Sequence, residues 1–159
     1  MKQKNKHIFV FGIFAVDLSF YVDKKVKPGE TIIAKSSNIG PGGKASNQAI
    51  SARKLGAPTT LITRLGNDNF NRYANDIWKN EKLFVSTKID KNLPTGMAGI
   101  FIDDKTGENS VIVDPGASAH LSIDDFFLQK SKMKKGDIFL TQFEQSSDTT
   151  FAVLKAVSY

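Results

Sequence analysis

The sequence contains no cysteine, which excludes disulfides and thiolate metal centres and fits a reducing compartment such as the cytoplasm. Arginine is almost as scarce: only Arg53, Arg64 and Arg72 stand among 22 basic residues. Nucleic-acid recognition favours guanidinium forks and clustered patches. The net charge of +6 and pI near 9.5 come instead from lysines scattered along the chain. Their densest run, Lys130, Lys132, Lys134 and Lys135, falls at an expected helix end, where cations suit the dipole. No nucleic-acid partner is expected. No apolar stretch approaches the roughly 20 residues of a membrane-spanning helix, so no membrane partner is expected either. Met1–Lys6 and apolar Ile8–Val16 imitate a short secretory leader, but no small-residue cleavage site follows and Asp17 ends the run. That run reads as a buried first strand of a parallel sheet. Histidine is limited to His7 and His120, too isolated for a metal or catalytic pair.

What remains is a chain of 159 residues, 40% hydrophobic and 24% charged, enough for one ordinary domain with a buried core. Its most informative segment is 42–56, which begins Gly42-Gly43-Lys44-Ala45-Ser46-Asn47. Two glycines open a helix with Lys44 and Asn47 in its first turn, and Gly56 closes it. The first N–H groups of a helix lack internal partners, and that end is electropositive. Glycine lets a ligand approach the backbone closely, so the segment reads as a dock for an oxygen-rich small molecule. A nucleotide P-loop is excluded, because Asn38 and Ala45 stand where Gly and Ser or Thr are needed. A dinucleotide fingerprint from Gly40 ends in Ala45 and follows no plain strand–turn junction.

Along the chain, the expected strands are Ile8–Val16, Leu18–Val22, Thr31–Lys35, Thr59–Arg64, Phe84–Ile89, Gly96–Ile102, Ser110–Val113 and Asp137–Thr141. Helices are expected at 44–55, Phe70–Lys82, Ser122 to about Met133, and Asp148–Tyr159. In the first helix Ala45, Ala49 and Ala52 give a thin packing face; in the second Tyr73, Ile77 and Trp78 turn inward. Alternating strands and helices imply an α/β fold, a parallel sheet flanked by helices. The segments roughly at 18–35 and 96–113 break that alternation and read as a small separate β-lid. Only about three core parallel strands are evident and the last helix lacks a Gly or Pro terminator, so the chain reads as part of a larger unit.

Ligands of open parallel sheets bind beyond the carboxyl ends of the strands. Asp17 after the first strand, the Gly42–Asn47 helix start, and Glu144 after Asp137–Thr141 all meet that rule. Two carboxylates, an amide and an ammonium in one crevice suit a polyol or sugar.

These residues resemble the amino-terminal half of the PfkB-type carbohydrate kinase family, its ribokinase-like branch more than its fructokinase or adenosine kinase relatives. The resemblance is carried by Phe11-Gly12 through Asp17, Pro28-Gly29-Glu30-Thr31, Gly42–Ala49, Leu55-Gly56-Ala57, Gly66-Asn67-Asp68, Thr95-Gly96, Gly116-Ala117 and Gln142-Phe143-Glu144. It implies a Rossmann-like domain whose β-lid covers a sugar, such as ribose, and pairs with a second subunit's lid in a homodimer. It also implies transfer of the ATP γ-phosphoryl group with Mg²⁺, and with a monovalent cation in some members. By the same resemblance Asp17, Gly42, Gly43, Lys44, Asn47 and Glu144 hold the sugar, while Ala98, Ile100 and Val113 form an apolar lining. Two positions depart from the pattern: Ala15 replaces an Asn that bonds the sugar, and Asn71 replaces a turn Gly, tolerably because Asn accepts positive φ. The family's Gly-Ala-Gly-Asp catalytic motif does not occur in this sequence. An inactive kinase fragment is therefore expected, with a sugar-binding or lid-pairing module, or half of a nucleoside-type kinase, as alternatives.

Overall fold

The computed structural model describes residues 6–158. Met1–Asn5 of the leader-like segment, and Tyr159 of the expected last helix, lie outside the described residues. In chain order, β1 (Ile8–Phe11), β2 (Ala15–Val22) and β3 (Ser36–Gly42) precede α1 (Lys44–Lys54). Then come β4 (Thr59–Gly66), α2 (Asn69–Asn80), β5 (Phe84–Asp90), and the hairpin of β6 (Thr95–Asp103) and β7 (Asn109–Gly116). A short 3-10 turn at Ala117–His120 leads to α3 (Ile123–Lys130), β8 (Ile138–Thr141) and α4 (Ser147–Val157).

Two four-stranded sheets result. The first is wholly parallel in the order β5-β4-β1-β8. Its two central strands, β1 and β4, are buried on both faces, which is why they read as largely apolar runs. Val10, Leu61 and Leu65 point to one side and meet Ala45, Ala49, Ala74 and Trp78 of α1 and α2. Phe9, Phe11 and Ile62 point to the other and meet Phe126 and Val153 of α3 and α4. Trp78 is anchored edge-on against Phe14, ring centres 5.1 Å apart. The second sheet, in the order β3-β2-β6-β7, forms the lid. Its central pair β2–β6 is parallel and its outer pairs are antiparallel, so it joins two stretches distant in sequence.

The structure corrects three expectations. Ile8–Val16 is not one strand: β1 ends at Phe11 and β2 starts at Ala15 in the other sheet. Phe11 through Val16 are buried throughout, and an uninterrupted apolar run does not distinguish one buried strand from two in succession. Thr31–Lys35 carries no strand; its β-branched Ile33 is 94% exposed. The strand that pairs with β2 is the polar Ser36–Gly42, which lacks an alternating pattern because it lies on an edge. The helix expected to reach Met133 ends at Lys130.

Two caps fix the loops around the site. Asp68 accepts from the Asn71 N–H at 2.9 Å, and also from the Thr95 N–H at 2.6 Å and Oγ1 at 2.8 Å. It thus ties the start of α2 to the start of the lid hairpin. Asn71 sits in α2 and does not use positive φ; its side-chain amide donates to the Gly66 carbonyl at 2.6 Å. That bond closes the turn, so the expected reason for tolerating Asn there is replaced by another. Asp125 accepts from the Ser122 N–H at 2.8 Å and from Arg64 Nε at 2.8 Å, pinning α3 to β4.

Candidate functional site

The glycine-rich segment is a direct strand-to-helix junction. Gly42 is the last residue of β3, Gly43 is the N-cap of α1, and Lys44 is its first residue. Gly43 has φ 84°, and a Cβ there would lie 2.5 Å from the Ile13 carbonyl oxygen, so only glycine fits. A Cβ on Gly42 would lie 2.0 Å from Asp17 Oδ1; the carboxylate rests on the bare backbone. Gly40 lies inside β3, so no strand–turn junction precedes it; the junction falls at Gly42 and Gly43. That strand, however, is an edge of the lid sheet, where Pro41 costs no ladder bond, and not a strand of the parallel sheet that a dinucleotide fold requires.

Asp17 does not follow the first strand, as expected, but sits within β2 of the lid. Its register partners are Gly40 on β3 and Ala98 on β6, and Ala98 is paired with Val113 on β7. Residues in register share a face, so Asp17, Ala98 and Val113 line one side of the lid, joined by Ile100 two residues on. Ala98 is buried, Ile100 half-buried and Val113 exposed. Burial, and then the negative charge of Glu144, push the Asp17 carboxyl above the usual carboxylate range. Among the described residues no hydrogen-bond donor offsets either effect.

Glu144 lies in the loop between β8 and α4, and both its oxygens are taken by Lys44. The Lys44 N–H donates to Oε2 at 2.7 Å and Nζ donates to Oε1 at 2.6 Å. The helix itself supplies no side-chain cap and no acidic residue in its first turn. Glu144 thus caps α1 across the crevice and complements its dipole. Asn47, in the same first turn, is exposed, with its own N–H bonded to the Gly43 carbonyl at 3.0 Å.

The loop carrying Glu144 is held by two glutamines whose roles have no signal in the sequence. The buried Gln142 amide donates to Gln48 on α1. The Gln145 amide nitrogen lies within 2.8 Å of Thr141 Oγ1, 2.6 Å of the Gln142 carbonyl and 2.9 Å of Thr150 Oγ1. Gln145 therefore joins the end of β8 to the start of α4. The larger cavities lie elsewhere: one of about 540 Å³ surrounds His7, Lys132 and Lys135 at the opposite end of the sheet. Among the described residues, no group of three or more His, Asp or Glu is gathered to hold a metal ion, and no helix is long and apolar enough to cross a membrane.

A parallel three-layer domain carrying a second sheet as a lid, with helix start and carboxylates facing one crevice, defines the ribokinase-like class of α/β proteins. The match is close in three dimensions: the ribokinase of Giardia lamblia superposes with a TM-score of 0.88 at 26% identity, over 96% of this chain and 50% of that one. In sequence, the ribokinase of Dictyostelium discoideum is 38% identical over 94% of this chain and 47% of its own length. A deoxyribokinase of Salmonella typhi is 32% identical over 93% of this chain and 48% of its own. The family described as pfkB family carbohydrate kinase matches residues 5–155, and the chain belongs to it. It spans about half the length of the curated relatives it matches.

Proposed function

We propose that this chain is the sugar-holding half of a ribokinase-type carbohydrate kinase. The observation that carries the reading is Asp17: a partly buried carboxylate facing Glu144 with no donor to satisfy it among the described residues. Buried polar atoms need partners, and the hydroxyls of a sugar are donors. In this reading Asp17 and Glu144 accept from hydroxyls, while Lys44 and Asn47 at the start of α1 donate to sugar oxygens. Gly42 and Gly43 let the sugar lie against the backbone, and Ala98, Ile100 and Val113 cover its C–H face. Ribose and 2-deoxyribose are the leading substrates, since relatives carry both names. Ala15 offers no polar group, which favours a sugar needing one bond fewer.

ATP and Mg²⁺ would supply the phosphoryl group and its charge neutralisation, at groups beyond those of this chain. Phosphoryl transfer depends on positioning and stabilising the transferring charge, and the residues here only position the acceptor. The 159-residue polypeptide by itself is therefore proposed to be inactive, in the cytoplasm, and paired through the exposed Val111, Ile112 and Val113 of its lid. The second reading, a sugar-binding or lid-pairing module without chemistry, rests on the same exposed strand.

Calorimetry with ribose, 2-deoxyribose and fructose tests the reading. Binding of a pentose, weakened by about 1–3 kcal/mol in Asp17→Ala, is the expected result. Equal heats for parent and variant, or no heat with any sugar, would overturn it. Phosphorylation of ribose by the purified chain and ATP would overturn the proposed inactivity.

A further inference from the structure

The lysine run Lys130, Lys132, Lys134 and Lys135 is only partly explained by a helix dipole. α3 ends at Lys130, so that residue alone stands in its last turn. Lys132, Lys134 and Lys135 lie past it, exposed, in the connection to β8. With Lys6 they rim a cavity of about 540 Å³ whose inner surface includes His7, Phe9 and Pro58. That volume is within the range of small-molecule sites. The cavity opens where β1, β4 and β8 begin, at the opposite end of the parallel sheet from the crevice of Lys44 and Glu144.

Asp137 fixes this rim. Its Oδ1 accepts from the His7 N–H at 3.1 Å and its Oδ2 from the Lys134 N–H at 2.9 Å. The Asp137 N–H closes a turn onto the Lys134 carbonyl at 3.0 Å, with Gly136 at φ 93°. The Ile138 N–H donates to the His7 carbonyl at 2.9 Å. The lysine-bearing turn is thereby tied to the start of β1, and a rim already held in place loses little freedom on binding. His7 is itself positioned: Thr60 Oγ1 lies 2.9 Å from its Nε2, and its ring rests against Phe9 with ring centres 4.5 Å apart.

The charges around the cavity do not cancel. Lys24, Lys35, Lys44 and Lys54 each meet a carboxylate. Among the described residues, Lys6, Lys132, Lys134 and Lys135 form no ion pair. Asp137 is the one carboxylate among the described residues that line the cavity, and main-chain donors occupy both its oxygens. Burial holds the His7 imidazole below its usual value, against the raising effect of Asp137, so the lysines carry the positive charge at neutral pH. Four ammonium groups at the mouth of a partly apolar cavity match a phosphate group. Lysine binds phosphate as a point charge, and a phosphate monoester carries a charge of about −1.5 to −2 at pH 7. No arginine is among the described residues that line the cavity, so it lacks the guanidinium forks that read nucleic-acid bases. We propose that this cavity binds a small organic phosphate, its phosphate among Lys132, Lys134 and Lys135 and an apolar or aromatic body against Phe9 and Pro58. The site shares no residue with the sugar crevice, so the two readings stand or fail separately.

The test is calorimetry of the purified chain with phenyl phosphate, inorganic phosphate and a short mixed-sequence oligonucleotide, together with amide chemical-shift mapping. Phenyl phosphate is expected to bind saturably, one per chain and several-fold more tightly than inorganic phosphate, with shifts at His7, Gly136 and Asp137. The triple variant Lys132→Gln, Lys134→Gln, Lys135→Gln should weaken it by about tenfold or more, since bonds to a charged group are lost. A charge-matched triple, Lys79→Gln, Lys91→Gln, Lys105→Gln, alters exposed lysines elsewhere and should leave the affinity unchanged. Circular dichroism checks the fold of both variants, and if the rim variant does not fold, the shift map of the parent chain decides. The proposal is overturned by no saturable heat with phenyl phosphate, by equal affinity for inorganic phosphate, or by shifts confined to Gly42–Asn47. Equal weakening by both triples, or tighter binding of the oligonucleotide, overturns it as well.

Discussion

Lys44 holds both oxygens of Glu144, one through its main-chain N–H at 2.7 Å and the other through Nζ at 2.6 Å, across 100 residues of sequence. The first contact caps a helix, the second is an ion pair in which Lys44 is 68% exposed and Glu144 18%. They differ in worth, because exposed pairs are screened. Glu144→Ala is expected to cost about 1 kcal/mol of stability, typical of a lost cap. Lys44→Met should cost clearly less, since the N–H still reaches the carboxylate. Both variants should bind pentose more weakly. Thermal melts with calorimetry on the same samples separate the two effects; equal destabilisation by both would show that the cap is not the larger part.

Gly42 gives a sharper test of the crevice. A methyl group there would overlap the Asp17 carboxylate and must push it aside. Gly42→Ala should abolish measurable sugar binding while the chain remains folded by circular dichroism. Retained binding at parental affinity would remove Asp17 from the site.

Asp17 also predicts a pH dependence of unusual sign. Burial and the charge of Glu144 raise its folded-state pKa, so the folded chain binds its proton more tightly than the unfolded chain. Ionised Asp17 therefore costs stability above the folded pKa. That cost is relieved as the pH falls through that pKa toward the ordinary value of about 4. Asp17→Asn should melt at a higher temperature than the parent at pH 7 to 8, with the gap closing toward about pH 4, while sugar binding is lost. A destabilised variant at neutral pH would contradict this assignment.

Asp68 carries the opposite sign. Burial penalises its charge, but bonds from the Thr95 N–H, the Asn71 N–H and the Thr95 hydroxyl outweigh that and hold its pKa below the usual range. Its contribution is complete above the unfolded value of about 4 and is lost as the pH falls through the lowered folded value. Asp68→Ala should cost about 1–3 kcal/mol at pH 7, since it leaves buried donors unpaired, and the difference should shrink in acid. Urea titrations at several pH values measure it.

Gln145 links β8 to α4 and frames Glu144. Gln145→Leu keeps the volume but not the bonds. It should weaken pentose binding by several-fold without altering the ionisation of Asp17, which carbon-detected NMR titration reads directly. An unchanged affinity would make Gln145 a purely structural residue.

The parallel core was legible because both faces of β1 and β4 are buried, and the helices because Ala45 and Ala49 in α1, and Tyr73 and Ile77 in α2, recur at helical spacing. The lid hairpin at 95–116 was legible from its polar turn. The boundary between β1 and β2 was not, since Phe11 through Val16 are apolar throughout and burial alone marks no change of sheet. Nor was β3, whose polar residues become a strand only because β2 offers them a register. At the site, Gly42, Lys44 and Glu144 stood out one by one, yet nothing in the chain showed that Glu144 caps the helix that Lys44 begins.

The sequence by itself determined the class of fold, the chemical character of the crevice and its half-length match to a kinase family. Those properties live in local spacing, glycine placement and side-chain chemistry, which are written along the chain. Only the tertiary structure decided that Asp17 belongs to the lid, that its carboxylate lacks a donor among the described residues, and that α4 carries exposed apolar side chains on its outer face. Each of those depends on which distant segments lie side by side, and burial and register exist only after the chain has folded.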